Sequence, residues 1–150
     1  MAQPKKYRVV QERNLMVPMR DGVRLATDIF RPGAPGRYPV LVTRGPHGKD
    51  SYVGNPDHSI WFFAKHGYVV VSQDCRARFE SEGDSYNPLF QEAQDGYDTV
   101  EWCAAQPWSS GKVGMYGRSY VGATQWLAAS AQPPALAALV PGLTSSDYYE

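Results

Sequence analysis

Strands alternating with helices, an Asp-Gly hairpin ahead of them and a glycine-flanked serine at a strand-to-helix junction predict an α/β protein. The expected architecture is a mostly parallel sheet with helices on both faces and an antiparallel hairpin at the N-terminus. Residues 15–30 alternate around Arg20-Asp21-Gly22, with Val23, Leu25 and Ile29 on one side and Arg24, Ala26 and Asp28 on the other. Asp-Gly between alternating runs signals a tight hairpin. Residues 31–37 form a Pro/Gly loop, followed by a short apolar strand, Val40-Leu41-Val42. Asn55-Pro56 reads as an N-cap with proline at the first helical position, and Gly67 stands where that helix would stop. Residues 68–72 are a β-branched run suited to burial on both faces of a parallel sheet. Asn87-Pro88 is expected to open a second helix. Its apolar stripe would be Phe90, Ala93, Tyr97, Val100 and Ala104, with Glu92, Asp95, Asp98 and Glu101 offset toward water and Pro107 as its end. A third strand at 113–116, a third helix at 119–131 stopped by Pro133-Pro134, and a last strand at 135–140 complete the reading.

The chain has 150 residues, 43% of them hydrophobic and 20% charged, which excludes a disordered tail or a low-complexity linker. No internal repeat or interdomain linker interrupts it, so it is read as one unit. The longest clean aliphatic run, residues 135–140, is far short of the roughly twenty residues of a membrane span. No apolar segment follows Lys5 and Lys6, so no secretory signal is expected. Cys75 and Cys103 cannot build a disulfide scaffold and fit small buried hydrophobes in a reducing cytoplasm. A net charge of zero argues against a phosphate-neutralising nucleic-acid binder. The halves nevertheless differ: residues 1–75 hold 11 basic and 6 acidic side chains, residues 76–150 hold 4 and 9. Seven of the acids fall between Glu80 and Glu101 without an intervening Lys or Arg, and are expected to form a solvated helix face rather than a cation site.

The segment Val113-Gly114-Met115-Tyr116-Gly117-Arg118-Ser119-Tyr120-Val121-Gly122 carries the chemistry. A nucleophilic serine needs an exposed hydroxyl at a sharp turn, with backbone N–H groups facing the developing oxyanion. Gly117 permits the close strand-to-helix approach, and Tyr120 at the helix start offers its amide. A phosphate-binding loop would need glycine and lysine where Lys112 and Arg118 stand, and a dinucleotide fingerprint would need glycine at Tyr116. The alternative is a serine that only caps its helix, since Ser is a favoured N-cap. Spacing alone leaves both open.

Glycine arrives one residue late for the generic G-x-S-x-G elbow, with Val121 in the usual place and Gly122 after it. This G-x-S-Y-x-G pattern resembles the cocaine-esterase-like and X-Pro dipeptidyl-peptidase-like serine hydrolases (the CocE/NonD group). So do residues 20–25, Asp74-Cys75-Arg76 leading to Ser81-Glu82-Gly83, Asp95-Gly96-Tyr97-Asp98, and Trp102 through Gln106-Pro107-Trp108. The resemblance spans roughly residues 8–149. It implies an α/β-hydrolase that cleaves carboxylic esters or X-Pro amides of small substrates through an acyl-enzyme at Ser119. It further implies the Tyr120 N–H as one oxyanion donor and no metal or organic cofactor. A tyrosine hydroxyl commonly supplies the second donor in an R-x-P-Y context. Here Arg44-Gly45-Pro46-His47 puts His47 in that place, either as an imidazole donor or as an ordinary loop histidine.

In this fold class the triad runs Ser, then Asp or Glu, then His. Only Asp147 and Glu150 follow Ser119 as acids, and all three histidines, His47, His58 and His66, precede it. Neither His58 nor His66 has a helix placement that aims it at Ser119. The expectation is therefore the amino-terminal part of a longer catalytic domain, impaired as 150 residues alone. The competing expectation is a non-catalytic remnant or interaction subunit, whose open sheet edge at 135–140 would self-associate or pair with a partner. A third is two polypeptides completing one triad.

Overall fold

The structure, a computed structural model, describes residues 6–147. Six strands, β1 (Val9–Pro18), β2 (Arg24–Pro32), β3 (Tyr38–Gly45), β4 (Val69–Asp74), β5 (Ser109–Arg118) and β6 (Leu136–Gly142), form one sheet in the order β1-β2-β4-β3-β5-β6. β2 runs antiparallel to both its neighbours, β1 and β4, and β4, β3, β5 and β6 run parallel. Arg20-Asp21-Gly22 makes the hairpin turn as expected, with Val17 opposite Leu25. Helices α1 (Lys49–Val53) and α2 (Ile60–Lys65) lie on one face, and α3 (Glu92–Ala105) and α4 (Tyr120–Ser130) on the other.

Strand alternation divides the core into two layers. Ile29, Val42, Val71 and Met115 pack with Val100 and Cys103 of α3 and Ala128 of α4. Their sheet neighbours Phe30, Val70 and Tyr116 pack with Tyr52, Ile60 and Ala64 on the α1/α2 side. Each such aliphatic or aromatic side chain contributes about 1.5–3 kcal/mol when fully withdrawn from water. β2 departs from the expected in-out alternation. Leu25 through Phe30 are all buried, because helices cover both faces, and Asp28 is held there by Arg13 and Lys49.

Two helix expectations need correction. Asn55 does cap the chain, its side chain accepting the Asp57 N–H at 2.9 Å, but only a 3-10 turn over Pro56–His58 follows before α2 begins. Asn87-Pro88 does not open α3, which starts at Glu92, and Phe90 is 78% exposed outside it. The buried stripe of α3 is Glu92, Asp95, Gly96, Thr99, Val100 and Cys103, so the helix is turned relative to the apolar-stripe reading. Two of the acids assigned to water are thus inside, Glu92 at 3% and Asp95 at 1% exposure. The cause is a pair of arginines on the sheet side, described below. Gly96 completes the arrangement: a Cβ there would fall 2.6 Å from that of Ala128, so only glycine lets α3 and α4 touch at this point.

Candidate active site

β3 has β4 on one side and β5 on the other, so the chain leaves it in opposite directions after successive strands. The crevice at the carboxyl ends of such strands is where open α/β sheets bind ligands. The loops after β3, β5 and β6 bring His47, Ser119 and Leu143 to that end of the sheet.

Ser119 sits between the last residue of β5 and the first of α4, at φ 58° and ψ −128°. That backbone is strained for a residue with a Cβ, and such strain persists where the surroundings impose it. Its N–H donates to Gly142 O at 2.8 Å, tying the bend to β6. The side chain is exposed and makes no capping hydrogen bond, so the helix-cap alternative fails. The late glycine also has a reason. Val121 is buried against Gly45 and Gly117, where a Cβ on either glycine would overlap the Val121 side chain. A Cβ on Gly122 would instead lie 2.6 Å from Thr144 Cγ2 and 3.0 Å from Gly142 O. Position 122, not 121, faces the neighbouring backbone.

Beside the hydroxyl lies a pocket of about 330 Å³, lined by Leu89, Ser119, Tyr120, Ala123 and the segment Leu143-Thr144-Ser145. Leu89 and Leu143 also have left-handed backbones, at φ 67° and 47°. Three strained non-glycine residues around one small pocket is a concentration expected of a functional site. A larger hollow of about 560 Å³ at the hairpin turn is less suitable, since its Asp21, Arg76 and Glu82 walls are engaged in ion pairs.

His47 is exposed in the loop after β3, and its backbone N–H donates to Tyr52 Oη at 3.3 Å. It lines a hollow of about 310 Å³ with Gly48, Phe79 and Glu80, which shares no lining residue with the serine pocket. His58 is buried, its Nδ1 3.1 Å from Thr43 Oγ1 and its ring 4.5 Å from Tyr52, and burial holds its pKa below the usual value. His66 follows α2 at the amino ends of the parallel strands, with Nδ1 2.7 Å from Phe62 O. Among the described residues, none of the three bonds the Ser119 hydroxyl.

The residues that sequence reasoning missed lie beneath the serine. Arg44 is fully buried, with Nη1 2.5 Å from Glu92 Oε2 and Nε donating to Gln73 Oε1 at 3.1 Å. Burial opposes its charge, but Glu92 and Asp95 outweigh burial and hold its pKa above the ordinary value. Arg76 grips Asp95 through Nε at 3.0 Å and Nη2 at 2.7 Å, and reaches Asp21 of the hairpin turn at 2.8 Å. The visible signal was a charged residue, Arg44, ending an apolar strand, together with carboxylates three apart on one helix face.

A second buried cluster joins Asp28, Lys49 and Asp74, with Lys49 also paired to Glu80. Burial raises the Asp74 pKa to about 6, against a partial offset from the Lys49 amide and ammonium. The folded chain therefore holds this proton to a higher pH than the unfolded chain, whose carboxyl titrates near 3.8. Its contribution is present below about pH 4 and is lost as pH rises to about 6, a change of about 3 kcal/mol. Asp74→Asn, which keeps an acceptor for the Lys49 N–H, is expected to remove this slope. Urea unfolding of both proteins across pH 4 to 7 checks it, and parallel curves would contradict it.

Strand order, buried helices on both faces and the serine bend define the class as an α/β hydrolase. Residues 21–150 match the X-Pro dipeptidyl-peptidase (S15) family, and the chain belongs to that family. It is 46% identical over 138 residues to the cocaine esterase of Rhodococcus sp. (strain MB1 Bresler), covering 91% of this chain and 24% of that one. A CocE/NonD family hydrolase from Staphylococcus aureus superposes with a TM-score of 0.79 at 35% identity, over 87% of this chain and 27% of the other. An α-amino acid ester hydrolase gives 0.77 at 32% identity, over 94% and 26%. The chain thus spans about a quarter of the length of these relatives. No helix among its described residues is long and apolar enough to cross a membrane.

Proposed function

We propose that this chain carries the nucleophile of a serine acyl hydrolase acting on carboxylic esters or X-Pro amides. Ser119 Oγ bonds to the substrate carbonyl carbon, the bond to the leaving oxygen or nitrogen breaks, and the serine proton ends on that leaving group. Water then hydrolyses the acyl-enzyme. The oxyanion is taken by the Tyr120 amide, a first-turn donor without an intrahelical acceptor, and by the His47 ring in the adjacent loop. Leu89, Ala123 and Leu143 offer an apolar wall to the acyl group. The carrying observation is the uncapped Ser119 hydroxyl at a strained strand-to-helix bend.

No histidine follows Ser119 in these 150 residues, so their turnover is expected to lie far below that of a complete triad. Both cysteines are buried and free, which supports a reducing, cytoplasmic setting. Labelling with a fluorophosphonate probe, mapped by peptide mass spectrometry in a catalytic domain that joins this chain to a triad histidine, tests the assignment: the adduct is expected on Ser119.

The sheet edge supports a second reading. Among the described residues β6 pairs with β5 alone, and its Val140 is 68% exposed. We propose that this edge self-associates. Sizing chromatography of Val140→Lys against the unmodified chain is expected to convert a dimer to a monomer, and a monomeric unmodified chain ends this reading. Leu139 is unsuitable for the test because it packs on the core.

A further inference from the structure

The Tyr120 side chain makes contacts that a generic oxyanion residue does not need. Its hydroxyl donates to Glu92 Oε1 at 2.8 Å and accepts the Leu89 N–H at 2.8 Å. Glu92 is itself fixed, since its Oε2 accepts from Arg44 Nη1 at 2.5 Å and from the Cys75 thiol at 3.5 Å. Arg44 ends the strand that feeds the His47 loop, and its carbonyl accepts from Thr124 Oγ1 of α4 at 3.1 Å. A single buried pair thus reaches the first residue of α4, the pocket wall at Leu89, and the loop after β3. Burial and the Glu92 charge push the Tyr120 pKa up, so the phenol keeps the proton it donates.

We propose that Glu92, held by Arg44, is a positioning residue: by gripping the Tyr120 hydroxyl it fixes the direction of the Tyr120 amide toward the oxyanion. The proposal rests on the assignment of Ser119 above. Tyr120 is the first residue of its helix, where backbone hydrogen bonds restrain the chain least. A side-chain anchor one residue past a strained serine supplies the missing restraint. Oxyanion donors act through placement, and an error of about 1 Å costs on the order of 10²-fold in rate.

The test is p-nitrophenyl acetate hydrolysis by a catalytic domain that joins this chain to a triad histidine, with Ser119→Ala as the blank and unfolding midpoints measured alongside. Tyr120→Phe and Glu92→Gln are each expected to lower the Ser119-dependent kcat about tenfold with KM unchanged. The double variant should fall no further than Tyr120→Phe alone, because Glu92 acts through the hydroxyl that phenylalanine lacks. A Glu92 that serves only as the partner of Arg44 would give additive losses, and these, or an undiminished kcat in Tyr120→Phe, overturn the proposal. Hydrolysis undiminished in Ser119→Ala, or absent from the unmodified domain with its triad histidine present, instead sinks the hydrolase assignment. Positioning is then read by nuclear magnetic resonance: the Tyr120 amide signal should broaden in Glu92→Gln, and an unchanged signal overturns the claim.

Discussion

Ser119→Ala is expected to abolish fluorophosphonate labelling and Ser119-dependent p-nitrophenyl acetate hydrolysis in a catalytic domain that joins this chain to a triad histidine. The expected loss is on the order of 10⁶-fold in turnover, because nucleophile and base act as a unit and only the roughly 10³–10⁴-fold over water held by oxyanion donors and binding remains. A base that deprotonates the serine would add roughly 10⁶-fold, about 8 kcal/mol of barrier, but no histidine among the described residues reaches the hydroxyl. The fold should survive the substitution. The bend at Ser119 is held by its backbone N–H on Gly142 O and by Val121 packed against two glycines, and alanine keeps both. Loss of labelling with an unchanged unfolding transition therefore reads the hydroxyl alone. An adduct that persists in the variant, or that maps elsewhere, refutes the assignment.

Arg44→Met is expected to destabilise the fold by about 3–5 kcal/mol, the cost of leaving a buried charge without its partner. Methionine nearly fills the space, so little of the loss is a cavity effect. What remains is the Glu92 carboxylate, 5% exposed and bonded only by the Tyr120 hydroxyl and the Cys75 thiol. Asp95 suffers less because Arg76 still holds it. At roughly 2–4 °C per kcal/mol for a chain of this size, the drop in Tm is about 6–20 °C. A loss under about 1 kcal/mol would mean that water reaches Glu92, and the buried network would not be the brace described here.

Local patterns carried most of the fold into the sequence. Asp21-Gly22 can make only a few turns, and the run at Val69-Val70-Val71 suits burial on both sides, so hairpin and central strand were legible. Ser119 was legible for the same reason: a glycine, a serine and a helix start in register leave few geometries. The α3 face was not. Its stripe was read from apolar spacing, whereas Glu92 and Asp95 are buried by arginines 19 to 51 positions away in sequence, a pairing no local window contains. Phe90 misled for the opposite reason, as an aromatic at helical spacing that lies outside the helix. Where His47 points relative to Ser119 depends on how two loops from adjacent strands converge, and spacing along the chain says nothing of that.

Val121 seated between Gly45 and Gly117 binds two segments far apart in sequence, the end of β3 and the turn from β5 into α4, into one interlocking part. Grafting this elbow onto another α/β scaffold as a contiguous loop would therefore leave its key without a lock. A transplant would have to carry the glycine at the end of the neighbouring strand as well. Conversely, within this protein a drift in any one of the three positions closes off the others, so their identities are expected to change together or stay put.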